Sequence, residues 1–123
     1  MNKKILIIDD NEQDRKIMER FLKKAGYEDI ITAETGEEGV GKAQSDSPDL
    51  AVIDTILPGI NGFEVCQQIR ERCGLEKPKI IVMTGSVDAI DAVKAKKAGA
   101  DDYCVKTSDC APLLEAANNI FMV

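Results

Sequence analysis

The sequence predicts an α/β protein built on an open parallel sheet with helices on both faces, and three observations carry that prediction. The stretches KILIID, LAVID and KIIVM contain apolar runs without polar alternation, as expected of strands buried on both faces, since a strand with one wet face would alternate. The segments between such runs place their apolar residues at helical spacing. Strand and helix alternate five times with no linker, internal repeat or low-complexity tract between them, the pattern of parallel strands joined by helical crossovers.

The first strand is Lys4 to Asp9, with Asp9, Asp10 and Asn11 following the apolar run. Residues 12 to 25 form a helix with Ile17, Met18, Phe21, Leu22 and Ala25 at its spacing, an Asp or Asn as N-cap and Gly26 as its stop. Ile30 to Ala33 is a short strand, and Gly36 to Ser45 a helix with Val40 and Ala43 inward. Gly39 and Gly41 each cost that helix about 1 kcal/mol relative to alanine, which makes it the expected least stable element. Pro48 and Asp49 precede the central strand, Ala51 to Asp54, which opens the stretch LAVIDTILPGINGFEV.

After the turn at Pro58, Gly59 and Gly62, the residues Val65, Cys66, Ile69 and Cys73 mark one face of a third helix, ended by Gly74. Lys79 to Met83 is the fourth strand, closed by Thr84 and followed by Gly85 and Ser86. The fourth helix runs from about Val87 to Ala98 with Ile90, Val93 and Ala98 inward. Asp102 to Val105 is the fifth strand, ending at Lys106. Thr107, Ser108 and Asp109 offer caps for a last helix with Leu113, Ala117, Ile120 and Phe121 on one side.

Length and charge bound the function. The 123 residues suffice for one domain, residues 1–123. An excess of 22 acidic over 16 basic residues, net charge −6, argues against a direct nucleic-acid surface, which needs clustered Lys and Arg. No apolar run approaches the roughly 20 residues of a membrane span, and the stretch after the start is too short for a signal peptide, so a cytoplasmic location is expected. Cys66, Cys73, Cys104 and Cys110 form no CxxC pair, and histidine is absent. They are expected to be reduced and structural, with zinc excluded by spacing.

Right-handed crossovers put every strand's carboxyl end on one rim. Asp9 and Asp10, Asp54, Thr84 and Lys106 are therefore expected to converge there. Each alone reads as a cap, a turn former or a solvated strand end. Together, three carboxylates at close quarters call for a cation, and an all-oxygen set suits Mg²⁺, or Mn²⁺, better than zinc. A lysine and a threonine opposite could hold phosphoryl oxygens. Asp54, at the end of the central strand, is the candidate nucleophile, since aspartate is an established phosphoryl acceptor.

Five motifs in order, the acidic pair in IIDDNE, the acceptor in VIDTILPGINGFE, the hydroxyl in IVMTGS, the lysine in DDYCVKT and the AGADDY approach to the last strand, resemble the receiver domain of bacterial two-component response regulators. The resemblance spans essentially the whole chain. It implies a flavodoxin-like (βα)5 fold, a five-stranded parallel sheet in the order 2-1-3-4-5. It also implies phosphoryl transfer to Asp54 from a histidine kinase or histidine phosphotransfer protein. Asp10 and Asp54 would ligate Mg²⁺ directly, Asp9 mainly through water, and the Ile56 backbone carbonyl would complete the protein ligands. Thr84 and Lys106 would bind phosphoryl oxygens. Movement of Thr84 and inward rotation of Tyr103 would repack the fourth helix, fifth strand and fifth helix, a small charge event biasing a two-state element.

The output so implied is binding of a downstream protein, by a monomer or a phosphorylation-dependent dimer. The donor is expected to dock at the first helix, and the target around Tyr103 and Lys94 to Lys97. The protein is expected to be a regulatory domain that catalyses only its own phosphorylation and dephosphorylation, with no effector domain in these residues. Thr107 stands where the family usually has proline, and a trans Lys106–Thr107 bond is expected. Gly85 replaces a common alanine and loosens its loop. Ile56 and Ser86 flank the path of a hydrolytic water, and an isoleucine there offers water no hydrogen bond.

A phosphohydrolase of this design would want a second aspartate where Ile56 stands. A flavin carrier would not place Asp9 and Asp10 in its phosphate loop. A receiver-like module that binds partners without phosphorylation is the remaining alternative, weakened by the intact acidic set, Thr84 and Lys106.

Overall fold

The computed structural model describes residues 3–85 and 89–122. Among them strands and helices alternate as β1 (Lys4–Ile8), α1 (Glu12–Lys24), β2 (Asp29–Ala33), α2 (Gly36–Asp46), β3 (Leu50–Asp54), α3 (Gly62–Cys73), β4 (Lys79–Thr84), α4 (Ala89–Ala98), β5 (Asp102–Val105) and α5 (Ala111–Phe121). The strands form one parallel sheet in the order β2-β1-β3-β4-β5, the flavodoxin-like arrangement expected from the sequence. Element boundaries differ from the expected ones by a residue or two, chiefly because Asp9 lies just past β1 and Thr84 closes β4.

Alternation along the buried strands divides the core into two layers. Leu6, Ile8, Ala51, Ile53, Ile80 and Val82 face Val40 and Ala43 of α2, Val65, Cys66 and Ile69 of α3, and Ala95 and Ala98 of α4. Ile5, Ile7, Leu50, Val52, Ile81 and Met83 face Met18 and Leu22 of α1 and Leu113, Ala116 and Ala117 of α5. Because β1, β3 and β4 are covered on both faces, their sequences need no polar positions. All four cysteines are free thiols. Burial pushes the Cys66 thiol up to about 11 and the Cys104 thiol up to about 12, in keeping with packing rather than reactivity.

Two expectations are corrected. Val93 does not face inward: it is 53% exposed, while Ala95 and Ala98 are buried. Hydrophobicity favours valine over alanine, but here small residues form the inner stripe. Ser86, Val87 and the Ile90 side chain lie outside the described residues. The α5 cap is also not a conventional one, because Cys110 occupies the N-cap position with φ 56° and no side-chain bond. Asp109 acts one residue earlier, its Oδ1 accepting from the Ala111 N–H at 3.0 Å and the Thr107 hydroxyl at 2.9 Å.

Arg70 is a buried residue on α3 that periodicity does not reveal. Its guanidinium donates to the carbonyls of Pro78 at 2.7 Å, Gly99 at 2.9 Å and Gly74 at 3.3 Å, and to Asp101 Oδ2 at 2.8 Å. Asp101 Oδ2 accepts the Ile80 N–H as well, at 2.8 Å. With its donors satisfied in this way the buried charge is tolerable, and the ends of α3, α4 and β4 are tied together.

The two glycines expected to weaken α2 act differently. A methyl at Gly39 would overlap the Ile8 side chain, whereas one at Gly41 would meet nothing within 4 Å. Gly39 therefore sets how closely α2 lies on β1. Gly39→Ala is expected to cost roughly 1–3 kcal/mol through overpacking, more than the roughly 1 kcal/mol of propensity that alanine returns. Gly41→Ala is expected to stabilise by up to roughly 1 kcal/mol. Urea denaturation of both variants checks this contrast, and a Gly39→Ala protein more stable than wild type would refute it.

Candidate functional site

The carboxyl ends of β1, β3, β4 and β5 meet at one rim, because each strand is parallel to its neighbour and in close register: Ile8 pairs with Ile53, Asp54 with Met83, and Thr84 with Val105. Asp9 follows β1 directly and its backbone N–H donates to the Ala33 carbonyl at 3.1 Å. Its side chain is fully buried, with Oδ1 accepting from the Asn11 N–H at 2.9 Å. Arg15 Nη1 donates to the Asp9 carbonyl at 2.8 Å, fixing the same turn from α1. Asn11, not Asp10, caps α1, its Oδ1 accepting from the Asp14 N–H at 2.9 Å. Asp10 is thereby left exposed at the rim with its carboxylate free of capping duty.

Asp54 ends β3 and is almost wholly buried. Its Oδ1 accepts from the Ile56 N–H at 3.3 Å. A methyl at Gly62 would overlap the Asp54 carbonyl oxygen, so the first turn of α3 packs directly against the strand end and holds its backbone. The Asn61–Glu64 capping box fixes that turn. These supports, from a rigid strand and a capped helix, keep the carboxylate in place.

Lys106 reaches into the same space from the end of β5. Its backbone N–H donates to the Thr84 carbonyl at 2.7 Å, and its Nζ lies 2.7 Å from Asp9 Oδ2, 3.0 Å from Asp14 Oδ2 and 3.1 Å from Asp54 Oδ2. The Lys106–Thr107 peptide is trans, the cis bond among the described residues being at Lys77–Pro78. Burial works against the ammonium, but hydrogen bonds to Asp9 and Asp14 and the charges of Asp54 and Asp9 outweigh it and hold Lys106 above its ordinary range. Asp54 is shifted up by its burial and by the Asp9 charge, against the pull of Lys106. One ammonium thus does not neutralise the site.

Carboxylate oxygens of Asp9, Asp10 and Asp54 lie within 4.8 Å of one another. A set of three carboxylates with one ammonium among them within the described residues, all oxygen and none of it nitrogen or sulfur, fits a hard divalent ion. Beside it opens a cleft of about 330 Å³ lined by Thr84, Gly85, Thr55, Ile56, Phe63 and Lys94. Ile56 is 77% exposed at its edge. The ring of Tyr103, on the edge strand β5, packs against the α2, α3 and α4 side of the core, and its buried hydroxyl has no hydrogen-bond partner among the described residues.

Every expected rim residue is therefore at the rim: Asp9, Asp54 and Lys106 in direct contact, Asp10 alongside, Thr84 on the neighbouring cleft. Asp14 is the residue sequence reasoning missed. A single carboxylate among the polar positions of α1 gave no separate signal. The clue available was that a helix starting right after an acidic pair turns its first-turn side chains toward the same rim.

Comparison with known proteins identifies the family. The profile of the response regulator receiver domain matches residues 5–118. The alkaline phosphatase synthesis transcriptional regulatory protein PhoP of Bacillus subtilis is 43% identical over 106 residues, covering 86% of this chain, which spans 43% of that protein. Protein PilH of Pseudomonas aeruginosa is 32% identical over 117 residues, 95% of this chain and 96% of that one. The crystal structure of the response regulator TrrA from Thermotoga maritima in complex with Mg²⁺ and BeF superposes with a TM-score of 0.85 at 34% identity, covering 96% of this chain and 98% of that one.

Proposed function

The chain belongs to the response-regulator receiver domain family, and from that premise we propose that it is a phosphoacceptor signalling switch in which Asp54 takes a phosphoryl group from a histidine kinase or histidine phosphotransfer protein. The observation that carries this reading is the placement of Asp54, buried at the end of the central strand with Lys106 Nζ 3.1 Å from one oxygen and the Ile56 N–H 3.3 Å from the other. An aspartate merely ending a strand would not be given both.

In the transfer, an Asp54 carboxylate oxygen forms the new O–P bond as the P–N bond to the donor histidine breaks, and the imidazole leaves with that electron pair. Lys106 and the Thr84 hydroxyl hold the phosphoryl oxygens, stabilising charge where it develops. Asp9, Asp10, Asp54 and the Ile56 carbonyl would hold Mg²⁺, or Mn²⁺, which supplies charge neutralisation between carboxylate and phosphoryl group. The TrrA structure is a complex with Mg²⁺ and BeF in a related domain, which supports Mg²⁺ as the ion.

The readout is a change at α4, β5 and α5, with Thr84 and Tyr103 as the switch pair, read by a partner protein. Residues 1–123 act as one receiver domain in the cytoplasm, catalysing only their own modification and its reversal. Among the described residues no helix is long and apolar enough to cross a membrane. No direct nucleic-acid contact is assigned to this domain, whose net charge is −6, although PhoP is a transcriptional regulatory protein. Exposure of the chain to Mg²⁺ and a small-molecule phosphodonor, with intact-mass measurement, tests the proposal: a base-labile phosphoryl adduct is expected, and its absence would return the chain to the phosphorylation-independent class.

The exposed Ile56 side chain sets the lifetime of that adduct, because it gives an attacking water no hydrogen bond. Ile56→Asn is expected to speed dephosphorylation by roughly tenfold, about 1.4 kcal/mol of barrier. An unchanged decay rate would remove Ile56 from the lifetime argument.

A further inference from the structure

An ammonium has three donors, and each donor of Lys106 has its own carboxylate: Asp9, Asp14 and Asp54. Two of these acceptors belong to the set assigned to the cation and the phosphoryl group. The third, Asp14, comes from the first turn of α1, oriented by the Asn11 cap on its own N–H. On that side of the lysine lies a cavity of about 290 Å³ between α1 and the loop after β5, lined by Asp14, Met18, Met83, Lys106, Thr107 and Cys110. Lys106 therefore stands between two seats, one on the acceptor and one on α1, with room on the α1 side.

A divalent ion bound by Asp9 and Asp54 and an ammonium bonded to the same two carboxylates repel each other. Resting on the phosphoacceptor reading above, we propose that Asp14 is a positioning residue for Lys106: it offers the ammonium a carboxylate to withdraw to when a divalent cation engages Asp9 and Asp54, and it competes for the same ammonium once a phosphoryl group is on Asp54. Two opposite consequences follow from one residue. Asp14 favours cation binding and opposes phosphoryl capture.

The test is a double-mutant cycle on the full chain with wild type, Asp14→Asn, Lys106→Met and the double variant. Calorimetric titration with MgCl₂ is expected to give a roughly three- to tenfold weaker Mg²⁺ affinity for Asp14→Asn, the size of a partly exposed charge pair. In the Lys106→Met background the same substitution is expected to change affinity less than about twofold, because the residue through which Asp14 acts is gone. At saturating Mg²⁺, Asp14→Asn is expected to take phosphate from a small phosphodonor faster than wild type. Asp14→Glu, which keeps the carboxylate, is expected to restore wild-type Mg²⁺ affinity.

Melting temperatures of the same four proteins in EDTA give a readout independent of any ion, and non-additive shifts are expected. Equal Mg²⁺ affinity for wild type and Asp14→Asn overturns the inference. So does equal weakening in both backgrounds, which would mean charge acting through space alone, and so do additive melting shifts. If Lys106→Met proves too unstable to titrate, Lys106→Gln completes the cycle. A wild type that takes no Mg²⁺ overturns the cation reading beneath the inference, and the melting cycle then decides the Asp14–Lys106 coupling by itself.

Discussion

Asp54→Asn is expected to abolish the mass gain of about 80 Da that the wild-type chain shows after exposure to Mg²⁺ and a phosphodonor. The amide is nearly the same size as the carboxylate but is not a nucleophile, so the fold is kept while the acceptor is lost. The same substitution is expected to raise the melting temperature in metal-free buffer at neutral pH. Burial and the Asp9 charge hold the Asp54 carboxyl above its ordinary value of 3.8, despite Lys106. The folded state then keeps that proton better than the unfolded chain does, and stability falls as pH rises from the unfolded value through the folded one. An asparagine does not ionise, so its advantage is present at neutral pH and disappears in acid, below both values. An identical adduct on the variant would place the acceptor elsewhere, and a variant less stable than wild type in EDTA would show that Lys106 more than compensates the charge.

Lys106→Met has the opposite effect in metal-free buffer. Asp9, with a side chain 1% exposed, and Asp54, at 11%, would be left without their shared cation. Breaking a buried pair costs 3–5 kcal/mol in general. The lysine side chain here is 23% exposed, so about 2–3 kcal/mol is expected in EDTA. Added Mg²⁺ should return part of it by occupying the same carboxylates. The contribution of Lys106 has a definite pH range: its folded value is raised above the ordinary 10.5, so the stabilisation is complete below 10.5 and fades only as pH rises through the higher folded value. Chemical denaturation with and without Mg²⁺ measures both effects. No loss of stability in EDTA would mean that the three short contacts to Nζ carry no net energy. Phosphoryl uptake is expected to fall sharply as well, since the donor that meets the developing charge is gone.

Several features of the sequence were sufficient for these arguments because they are local. Runs such as KILII and LAVID have one physical solution in water, a strand covered on both sides, and the residues that end them are necessarily at the strand ends. Parallel connection then brings those ends to one edge whatever the details of packing. Asp9, Asp54, Thr84 and Lys106 were legible for that reason, and Cys66 and Cys73 could be read as packing residues from helical spacing. The structure has Cys66 in the core and Cys73 against it.

Other features depend on distances between elements, which no local pattern encodes. Val93 and Ala95 lie on opposite sides of α4, the first exposed and the second buried, and which side faces the sheet is set by how the helix is rotated against its neighbours. Gly39 reads as a weakness of α2 until Ile8 is seen to occupy the space its side chain would need. Arg70 looks like a solvated charge on α3 until the carbonyls of Pro78 and Gly99 and the carboxylate of Asp101 converge on it.

The sequence by itself determined the fold class and the identity of the residues at the rim, because strand burial and chain direction follow from composition and connectivity, while the strand order was implied by the family resemblance of its motifs. Only the tertiary structure decided how the charges share that rim. It brought Asp14, from the first turn of α1, to within 3.0 Å of the lysine that Asp9 and Asp54 also hold. The physical reason is that a hydrogen bond between residues 92 positions apart depends on the relative placement of a helix and a strand, and that placement is set by the packing of the whole α1, α5 side of the sheet.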